Sequence, residues 1–216
     1  MSVNLTRCNY DYKYPVERIA AYAYAVSKKY QDTTKAKALD FGFGGGRHLR
    51  VLAELGFDTY GIDITQDALD TTLYNYGEKC PVPKENLIID NIMEHPVFPE
   101  NNFDVIVSVG VLWSLGYENL IGFMNKLVPL IKNGGYLITN FRTKFDYWYM
   151  KKENRINKTD AKVDGFGCPW TFLDLQEVES LMAQYNLHIE EIERCDRYFK
   201  NVEQDSYWQL MARKGK

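Results

Sequence analysis

Short runs rich in β-branched and aromatic residues alternate along this chain with longer stretches in which apolar residues recur at helical spacing. The first helical stretch covers residues 15–30 and begins with Pro15, which suits the first turn of a helix. Four more helices are predicted at 49–55, 67–76, 119–131 and 174–185. The predicted strands are 36–41, 58–63, 86–90, 103–109, 136–141, 188–194 and 207–213.

Local signals mark the ends of several of these elements. Gly56 is well placed to end the second helix. Asp174 and Glu177 have the spacing of a capping box at the start of the last helix. The segment 133–135, Asn-Gly-Gly, is typical of a turn before the fifth strand.

The alternation predicts an α/β fold with a seven-stranded, mostly parallel sheet and helices on both faces. The strand at 103–109 is dense in valine and isoleucine, as expected for a strand buried on both faces. The last two strands are predicted to pair as an antiparallel hairpin at one edge. Because no repeat or low-complexity linker interrupts the pattern, we expect residues 1–216 to form a single domain.

Composition narrows the class of protein. Hydrophobic residues make up 45% of the chain and charged residues 25%, which is typical of a globular domain. The first seven residues lack the apolar core of a signal peptide, and the longest apolar stretch, at 105–115, is too short to span a bilayer. We therefore expect a cytoplasmic protein without a membrane partner. The four cysteines and three histidines are too scattered to predict a metal site.

Charge is uneven along the chain. The net charge of −3 provides no overall basic field for nucleic acid. Between Arg142 and Lys162, however, seven basic residues face only three acidic ones. This basic segment is either a solvated loop or a patch that attracts an anionic substrate.

A glycine-rich turn at 40–46 follows the first predicted strand, where the backbone can approach a nucleotide-like ligand closely. A dinucleotide fingerprint needs a further glycine at its sixth position, but Arg47 stands there when counting from Gly42, and Leu49 when counting from Gly44. A phosphate-binding loop would continue from Gly46 with lysine, which is absent. The turn therefore disfavours a pyrophosphate ligand.

Three carboxylates stand instead at the ends of the first three strands. Asp40 would repel phosphate but can pair with an ammonium group. Asp63 can hydrogen-bond to a ribose diol, and Asp90 can accept a bond from an adenine amino group. Each of the three could alternatively cap a turn. A ligand with an ammonium, a ribose and an adenine, such as S-adenosylmethionine, suits all three acids.

In this order the motifs resemble those of the class I S-adenosylmethionine-dependent methyltransferases, from about residue 35 to residue 213. The first motif is similar to 38–46, the second strand acid to 60–64, the third and fourth motifs to 90–106, and the turn before the fifth strand to 132–137. Phe43 departs from the small residue or cysteine usual in the family. The resemblance implies a Rossmann-like methyltransferase fold, with S-adenosylmethionine as cofactor and S-adenosylhomocysteine as product.

The resemblance also implies roles for particular residues. Gly42 and Gly44 would line the methionine end of the cofactor, with Asp40 supporting it. The remaining expected cofactor-binding residues are Asp63 with its neighbour Ile64 for the ribose side, Asp90 and Asn91 for the adenine, and Val109 near the reacting methyl group.

The acceptor pocket is expected above the carboxyl ends of the strands. Residues 1–34 would form a helical cap over it and 142–172 an insert on the same side. Three segments can reach the pocket: the tyrosines at 10, 12 and 14, the turn 113–117, and the segment 142–149. Their aromatic side chains suit stacking on a ring or sugar, or a cage around an amine, although they could equally pack the helices.

Asp146 is the first candidate for a general base and Arg142 the first candidate for holding an anionic acceptor, because both closely follow the fifth strand. His48 is a rival base, or only a contact at a helix end. His95 and His188 are expected in a loop and at a strand edge.

The prediction is methyl transfer to an oxygen or nitrogen atom of a small metabolite, with a phosphorylated or nucleotide-linked sugar suggested by the basic segment. Residues 109–112 read Val-Gly-Val-Leu rather than Asn-Pro-Pro-Tyr, which under the resemblance favours a small molecule over a nucleic acid. Two alternatives stay open: an NAD(P)-dependent oxidoreductase, and a partner protein that binds the cofactor without catalysis. The sequence leaves the oligomeric state open.

Overall fold

The computed structural model describes residues 14–77, 80–163, 165, 167–198 and 204–216. Its helices are α1 (Glu17–Ser27), α2 (Arg47–Glu54), α3 (Gln66–Tyr76), α4 (Tyr117–Leu127), α5 (Tyr147–Met150) and α6 (Leu175–Gln184). Its strands are β1 (Lys37–Phe41), β2 (Asp58–Asp63), β3 (Leu87–Ile89), β4 (Phe103–Ser108), β5 (Ile131–Thr143), β6 (Asp160–Ala161), β7 (Trp170–Leu173), β8 (Leu187–Tyr198) and β9 (Gln204–Lys214).

The sheet confirms the predicted fold class. Five of its parallel strands lie in the order β3-β2-β1-β4-β5, and β7 pairs parallel with the end of β5. Strand β9 runs antiparallel to β5, and β8 pairs with β9, so the two form the predicted C-terminal hairpin. The chain order reverses between β1 and β4. In open α/β sheets the ligand crevice lies at such a switch point, outside the carboxyl ends of the strands.

Helices cover both faces of the sheet, as predicted. Leu39 and Ile106 pack with α4 and α6 on one face, whereas Ala38 and Val107 pack with α1 and α2 on the other. Side chains alternate between faces along each strand, so a continuous apolar run such as β4 has a hydrophobic partner on either side.

Several predicted boundaries were wrong for local reasons. The helix predicted at 119–131 ends as an α-helix at Leu127 and continues only as a 3₁₀ turn over Val128–Leu130. Pro129 is the cause, because proline has no N–H to donate and clashes with the preceding helical turn. The predicted turn at 133–135 lies inside β5, where three extra residues bulge opposite β4 between the pairs Phe103–Ile131 and Val105–Tyr136.

Two strands that the sequence did not predict lie in the segment 142–172 and at its end. Strand β7 pairs with β5 at Arg142 and Thr143, and β6 pairs with β7. These strands are four and two residues long, too short for an alternating pattern to stand out. They bring the segment back against the carboxyl end of the sheet.

Within the described ranges, no helix is long and apolar enough to cross a membrane. The same residues contain no group of three or more histidine, cysteine, aspartate or glutamate side chains that could hold a metal ion. Cys80, Cys168 and Cys195 form no disulfide with one another. Cys8, Tyr10 and Tyr12 lie outside the described residues.

Candidate active site

The glycine turn after β1 depends on backbone conformations that favour glycine. Gly42, Gly44 and Gly46 have φ angles of 75°, 51° and 82°. The N–H of Gly42 donates to the carbonyl of Ile62 at 2.8 Å. A Cβ atom on Gly42 would overlap Cγ2 of Val111. The turn therefore lies close against both β2 and the loop after β4.

Helix α3 and the end of β2 hold this turn in place. Thr72 donates its hydroxyl to the carbonyl of Gly44 at 2.8 Å, and the Asn75 amide donates to the carbonyl of Gly45 at 3.0 Å. The N–H of Gly44 donates to Oδ2 of Asp63 at 3.0 Å. Thr72 and Asn75 were not among the site residues predicted from the sequence. The sequence feature that could have indicated them is the spacing of two polar residues three positions apart, which places both on one face of a helix.

Phe43, the departure from the family pattern, lies in a core under α2 and α3. Its buried ring packs with Leu49, Leu69 and Leu87. A Cβ atom on Gly61 would lie 2.8 Å from Cδ1 of Phe43, so the glycine in β2 makes room for the ring. The bulk of Phe43 is therefore accommodated beneath the turn.

Asp40 lies at the end of β1 with only 1% of its surface exposed. Burial raises the pKa of this carboxyl to about 7, against the opposing effects of the Arg47 charge and the Leu49 N–H. Its Oδ2 atom is buried and has no hydrogen-bond partner among the described residues. Because a buried carboxylate without a partner is costly, the site fits a ligand that brings a cation, such as the ammonium group of S-adenosylmethionine.

Asp63 lies at the end of β2 and takes part in a local turn. Besides Gly44, its carboxylate accepts bonds from the N–H and hydroxyl of Thr65 at 3.1 and 3.2 Å. Burial raises its pKa, although these donors oppose the shift. The next residue, Ile64, is 48% exposed. An acid beside an exposed apolar side chain fits a ribose next to a flat base.

Asp90 makes hydrogen bonds within a local turn, which is the alternative role that the sequence left open for the strand-end acids. Its Oδ1 accepts a bond from the Asn91 N–H at 2.7 Å, and its Oδ2 lies 2.9 Å from Nε2 of His95. The Asn91 side chain accepts from the Met93 N–H and donates to Glu94. Asp90 and Asn91 therefore lie at the carboxyl end of β3 with a defined local conformation, and His95 lies in a loop as predicted.

Val109 and Gly110 follow β4 directly and lie beside Asn140, which was not among the site residues predicted from the sequence. Val109 is half-buried and packs against the core on the α1 face. Oδ1 of Asn140, in β5, accepts bonds from the Gly110 N–H at 3.0 Å and from the Trp113 indole at 3.2 Å. Its position inside a hydrophobic strand could have indicated a functional role, since asparagine is depleted in strands.

Arg142 is the centre of a buried cluster at the end of β5. Its guanidinium donates to Asp146, to Asp205 at 3.0 Å and to the Tyr207 hydroxyl at 2.8 Å. It also lies 4.3–4.8 Å from the ring centroids of Trp113, Trp170 and Tyr207. Burial would lower the pKa of Arg142, but Tyr207, Asp146 and Asp205 outweigh it and the pKa is raised. The guanidinium is therefore charged, and its two terminal nitrogens donate to these partners, whereas its buried Nε has no hydrogen-bond partner among the described residues.

Asp146 is 0% exposed. Its carboxylate accepts bonds from Arg142, from the Trp148 N–H at 3.0 Å and from the Ser206 N–H at 3.1 Å. A general base must reach the acceptor's proton, and a residue that holds an anion must present its charge. In this structure the two predicted catalytic residues bind each other instead, because a buried charge is stable only beside its counter-charge.

Replacing Arg142 with methionine is expected to lower the free energy of unfolding by about 3–5 kcal/mol, because Asp146 would keep a buried charge without its partner. The melting temperature should fall by roughly 10 °C, as measured by thermal denaturation. Arg50→Met is the control, since Arg50 pairs with Glu54 on an exposed helix surface and such pairs contribute about 0–1 kcal/mol. A similar small loss in both variants would contradict a structural role for Arg142.

Three of the seven basic residues in the basic segment are paired with acids. Lys144 pairs with Asp174 at 3.1 Å and with Glu177 at 2.6 Å, and Lys158 pairs with Glu177 at 3.2 Å. Arg142 has its own two carboxylates. Acidic residues from α6 and β9, distant in sequence, therefore offset charges that stand unopposed in the local sequence.

His48 is a contact at a helix end. Its buried Nε2 accepts a bond from the Val16 N–H at 3.3 Å, at the start of α1. Burial lowers the pKa of His48 to about 3, with a smaller contribution from Arg47, so the imidazole is neutral and can accept this bond. Of the three N-terminal tyrosines, Tyr14 alone lies within the described residues, and it is exposed.

Comparison with known proteins finds related methyltransferases. Residues 39–139 match the family described as "Methyltransferase domain". The chain is 30% identical to phosphoethanolamine N-methyltransferase of Plasmodium falciparum over 120 residues, which cover 55% of this chain and 42% of that protein. It is 28% identical to ubiquinone biosynthesis O-methyltransferase of Rickettsia bellii over 181 residues, covering 77% of this chain and 68% of that protein.

Solved structures share the fold at low sequence identity. A SAM-dependent methyltransferase from Methanosarcina mazei superposes with a TM-score of 0.71 at 16% identity, covering 94% of this chain and 99% of that one. The 1,6-didemethyltoxoflavin-N1-methyltransferase of Burkholderia thailandensis, solved with S-adenosylhomocysteine, gives a TM-score of 0.67 at 14% identity, covering 93% and 79%.

The turn, the strand-end acids and the sheet order together define a class I S-adenosylmethionine-dependent methyltransferase, with S-adenosylmethionine as its cofactor. The match to the methyltransferase domain family extends over residues 39–139, just under half of the chain. The oxidoreductase alternative is thereby set aside.

Proposed function

We propose that this domain transfers the methyl group of S-adenosylmethionine to an oxygen or nitrogen atom of a small metabolite. The observation that carries the proposal is Asp40, a buried carboxylate with an unpartnered oxygen beside the glycine turn. The relatives' names include both an N- and an O-methyltransferase, which supports either acceptor atom. The basic segment gives weaker support to a sugar phosphate than its local sequence suggests, because Arg142, Lys144 and Lys158 are paired with acids.

The cofactor would lie across the carboxyl ends of the first four strands. In this proposal Asp40 pairs with its ammonium group, while Gly42 and Gly44 let its methionine end approach the backbone. The other residues of the cofactor site are Asp63 and Ile64 at the ribose, Asp90 and Asn91 at the adenine, and Val109 near the methyl group.

The bound cofactor supplies a methyl group that its sulfonium has already activated. The chain's task is to hold the acceptor in line with that group and to exclude water, which can account for much of a rate enhancement. Arg142 and Asp146 act here as positioning residues. They hold Trp113, Trp170 and Tyr207 together as one wall beside the loop that carries Val109.

The pKa of Asp40 makes a test of this proposal possible. Binding of an ammonium group requires the ionised carboxylate, so cofactor binding should release a proton below pH 7. Between pH 5.5 and 7.0 we expect affinity for S-adenosylmethionine to rise on the order of tenfold, since the cofactor's amino group stays protonated there. Calorimetric titration measures both the affinity and the proton release. In Asp40→Asn the affinity should be weaker and independent of pH.

The same substitution should stabilise the protein without its cofactor. Because the pKa of Asp40 is raised on folding, its contribution to stability is full below its unfolded pKa of about 4 and is lost as pH rises through 7. Asp40→Asn should therefore gain on the order of 1–3 kcal/mol at pH 8 and little at pH 4. Asp58→Asn, at the far end of β2, is the control.

Binding of NADH instead of S-adenosylmethionine, or binding of neither of these two ligands, would overturn the proposed function.

A further inference from the structure

Two amide side chains from neighbouring strands lie together on the α1 face of the sheet. Asn140 in β5 and Gln209 in β9 stand directly opposite each other in the antiparallel pairing. Such cross-strand partners have Cβ atoms about 4.5–5.5 Å apart. Asn140 is 8% exposed and Gln209 is 3% exposed. The next pair on the same face, Arg142 and Tyr207, belongs to the buried cluster described above.

The orientation of the Asn140 amide follows from its partners. The Gly110 N–H and the Trp113 indole N–H both point at the same atom of Asn140, and both groups can only donate. That atom must be the carbonyl oxygen, so the other end of the amide is the NH₂ group. Both of these hydrogen bonds end on the oxygen and leave Nδ2 available as a donor. Asn140 therefore offers a fixed donor.

Gln209 offers the complementary group. Its Oε1 atom is buried and has no hydrogen-bond partner among the described residues. Its backbone carbonyl accepts a bond from the Tyr22 hydroxyl at 3.4 Å, which joins this part of β9 to α1. Because nearly all buried polar side-chain atoms in proteins have a partner, this oxygen is available to accept a hydrogen bond from a bound group.

The position of the pair places it on the acceptor side of the site. Asn140 is one hydrogen bond from Gly110, the residue that follows Val109 at the end of β4. Through its other bond it contacts Trp113, which lies in the aromatic wall. Ligands of open α/β sheets bind outside the carboxyl ends of the strands, where β4 and β5 both end.

We propose that Asn140 and Gln209 bind the methyl acceptor through a neutral group that both accepts and donates a hydrogen bond, namely a hydroxyl or the edge of an amide. Such a group accepts from Nδ2 of Asn140 and donates to Oε1 of Gln209. A carboxylate or phosphate has no proton for Gln209, and an ammonium has no lone pair for Asn140. This inference rests on the proposed function and specifies its substrate class.

The charges nearby agree with a neutral group. Arg142, the cation two residues along β5, donates to Asp146, Asp205 and Tyr207. Its charge is matched by two carboxylates inside the cluster. An anionic acceptor would therefore gain little attraction from the residue that the sequence proposed to hold it.

Four aromatic probes with matched rings test the proposal: phenol, benzamide, benzoate and phenyl phosphate. Their binding is measured by ligand-observed NMR, with and without S-adenosylhomocysteine. Asn140→Asp keeps an oxygen for Gly110 and Trp113 and replaces only the donor. Gln209→Met keeps the length of the side chain and removes its polar end. Gln184→Met, at the exposed end of α6, is the matched control.

We expect phenol or benzamide to bind more tightly than benzoate and phenyl phosphate, and to lose at least tenfold in affinity in Asn140→Asp and Gln209→Met but not in Gln184→Met. The affinity for S-adenosylhomocysteine should stay within twofold in all variants. Preference for the anionic probes, binding of none of the four, or binding that both substitutions leave unchanged would overturn the inference. Failure of S-adenosylhomocysteine to bind the parent protein would instead overturn the proposed function. Because the probes and S-adenosylhomocysteine are titrated separately, the two failures can be distinguished.

Discussion

Gly42→Ala is expected to weaken S-adenosylmethionine binding by about 100-fold or more, which corresponds to roughly 3 kcal/mol. The backbone at Gly42 has a φ of 75°, where alanine is strained by about 1–2 kcal/mol. Its new Cβ atom would also overlap Cγ2 of Val111. Valine has little rotamer freedom, so the overlap must displace either the glycine turn or the loop that carries Val109. Both border the proposed position of the methyl group.

Two further variants separate strain from overlap. Gly77 has a φ of 54°, and a Cβ atom there would meet nothing within 4 Å. Gly77→Ala should therefore cost stability but leave cofactor affinity nearly unchanged. In the Gly42→Ala background, Val111→Ala should recover at least about tenfold in affinity, since the overlap is relieved. Calorimetric titration measures each, and parent-like binding by Gly42→Ala would contradict the assigned role of the turn.

Asp63→Ala is expected to weaken S-adenosylmethionine binding by a similar factor, about 100-fold, because two losses combine. The N–H groups of Gly44 and Thr65 lose their acceptor, so the turn is no longer joined to the end of β2. The ribose loses its proposed carboxylate partner as well. Asp58→Ala, in the same strand but at its opposite end, should bind as the parent does.

Adenosine as the ligand sharpens this test, because it carries the ribose and base but no ammonium group. Adenosine affinity should fall in Asp63→Ala and stay unchanged in Asp40→Asn, whereas S-adenosylmethionine affinity should fall in both. If the two substitutions changed adenosine affinity equally, Asp63 and Asp40 would not bind separate parts of the cofactor as proposed. Thermal denaturation of each variant checks that the fold is retained.

The sequence by itself predicted the class of fold and the framework of the cofactor site. The spacing of apolar residues that identifies helices and strands depends only on residues near one another in the chain. The same holds for the Asp174–Glu177 capping box, which is present at the start of α6. The strand-end acids follow from the same cause. Asp40, Asp63 and Asp90 each come directly at the end of a recognisable strand, and the carboxyl ends of parallel strands meet at one edge of the sheet.

Only the tertiary structure decided which polar residues are free to act. Arg142 and Asp146 look like an open cation and base in the local sequence, but Asp205, Tyr207 and Ser206 join them from a strand more than fifty residues later. The basic segment is offset by acids of α6 in the same way. Spacing along the chain carries no information about such partners.

The acceptor side depends most strongly on contacts between distant parts of the chain. Asn140 and Gln209 become neighbours only when β9 pairs with β5, and Asn140 becomes a fixed donor only when the loop after β4 folds over it. Burial then turns an ordinary amide into an atom that needs a partner, because water can no longer supply one. Local sequence therefore predicted the proposed cofactor site, whereas the proposed contacts to the acceptor depend on strand pairing and burial across the sheet.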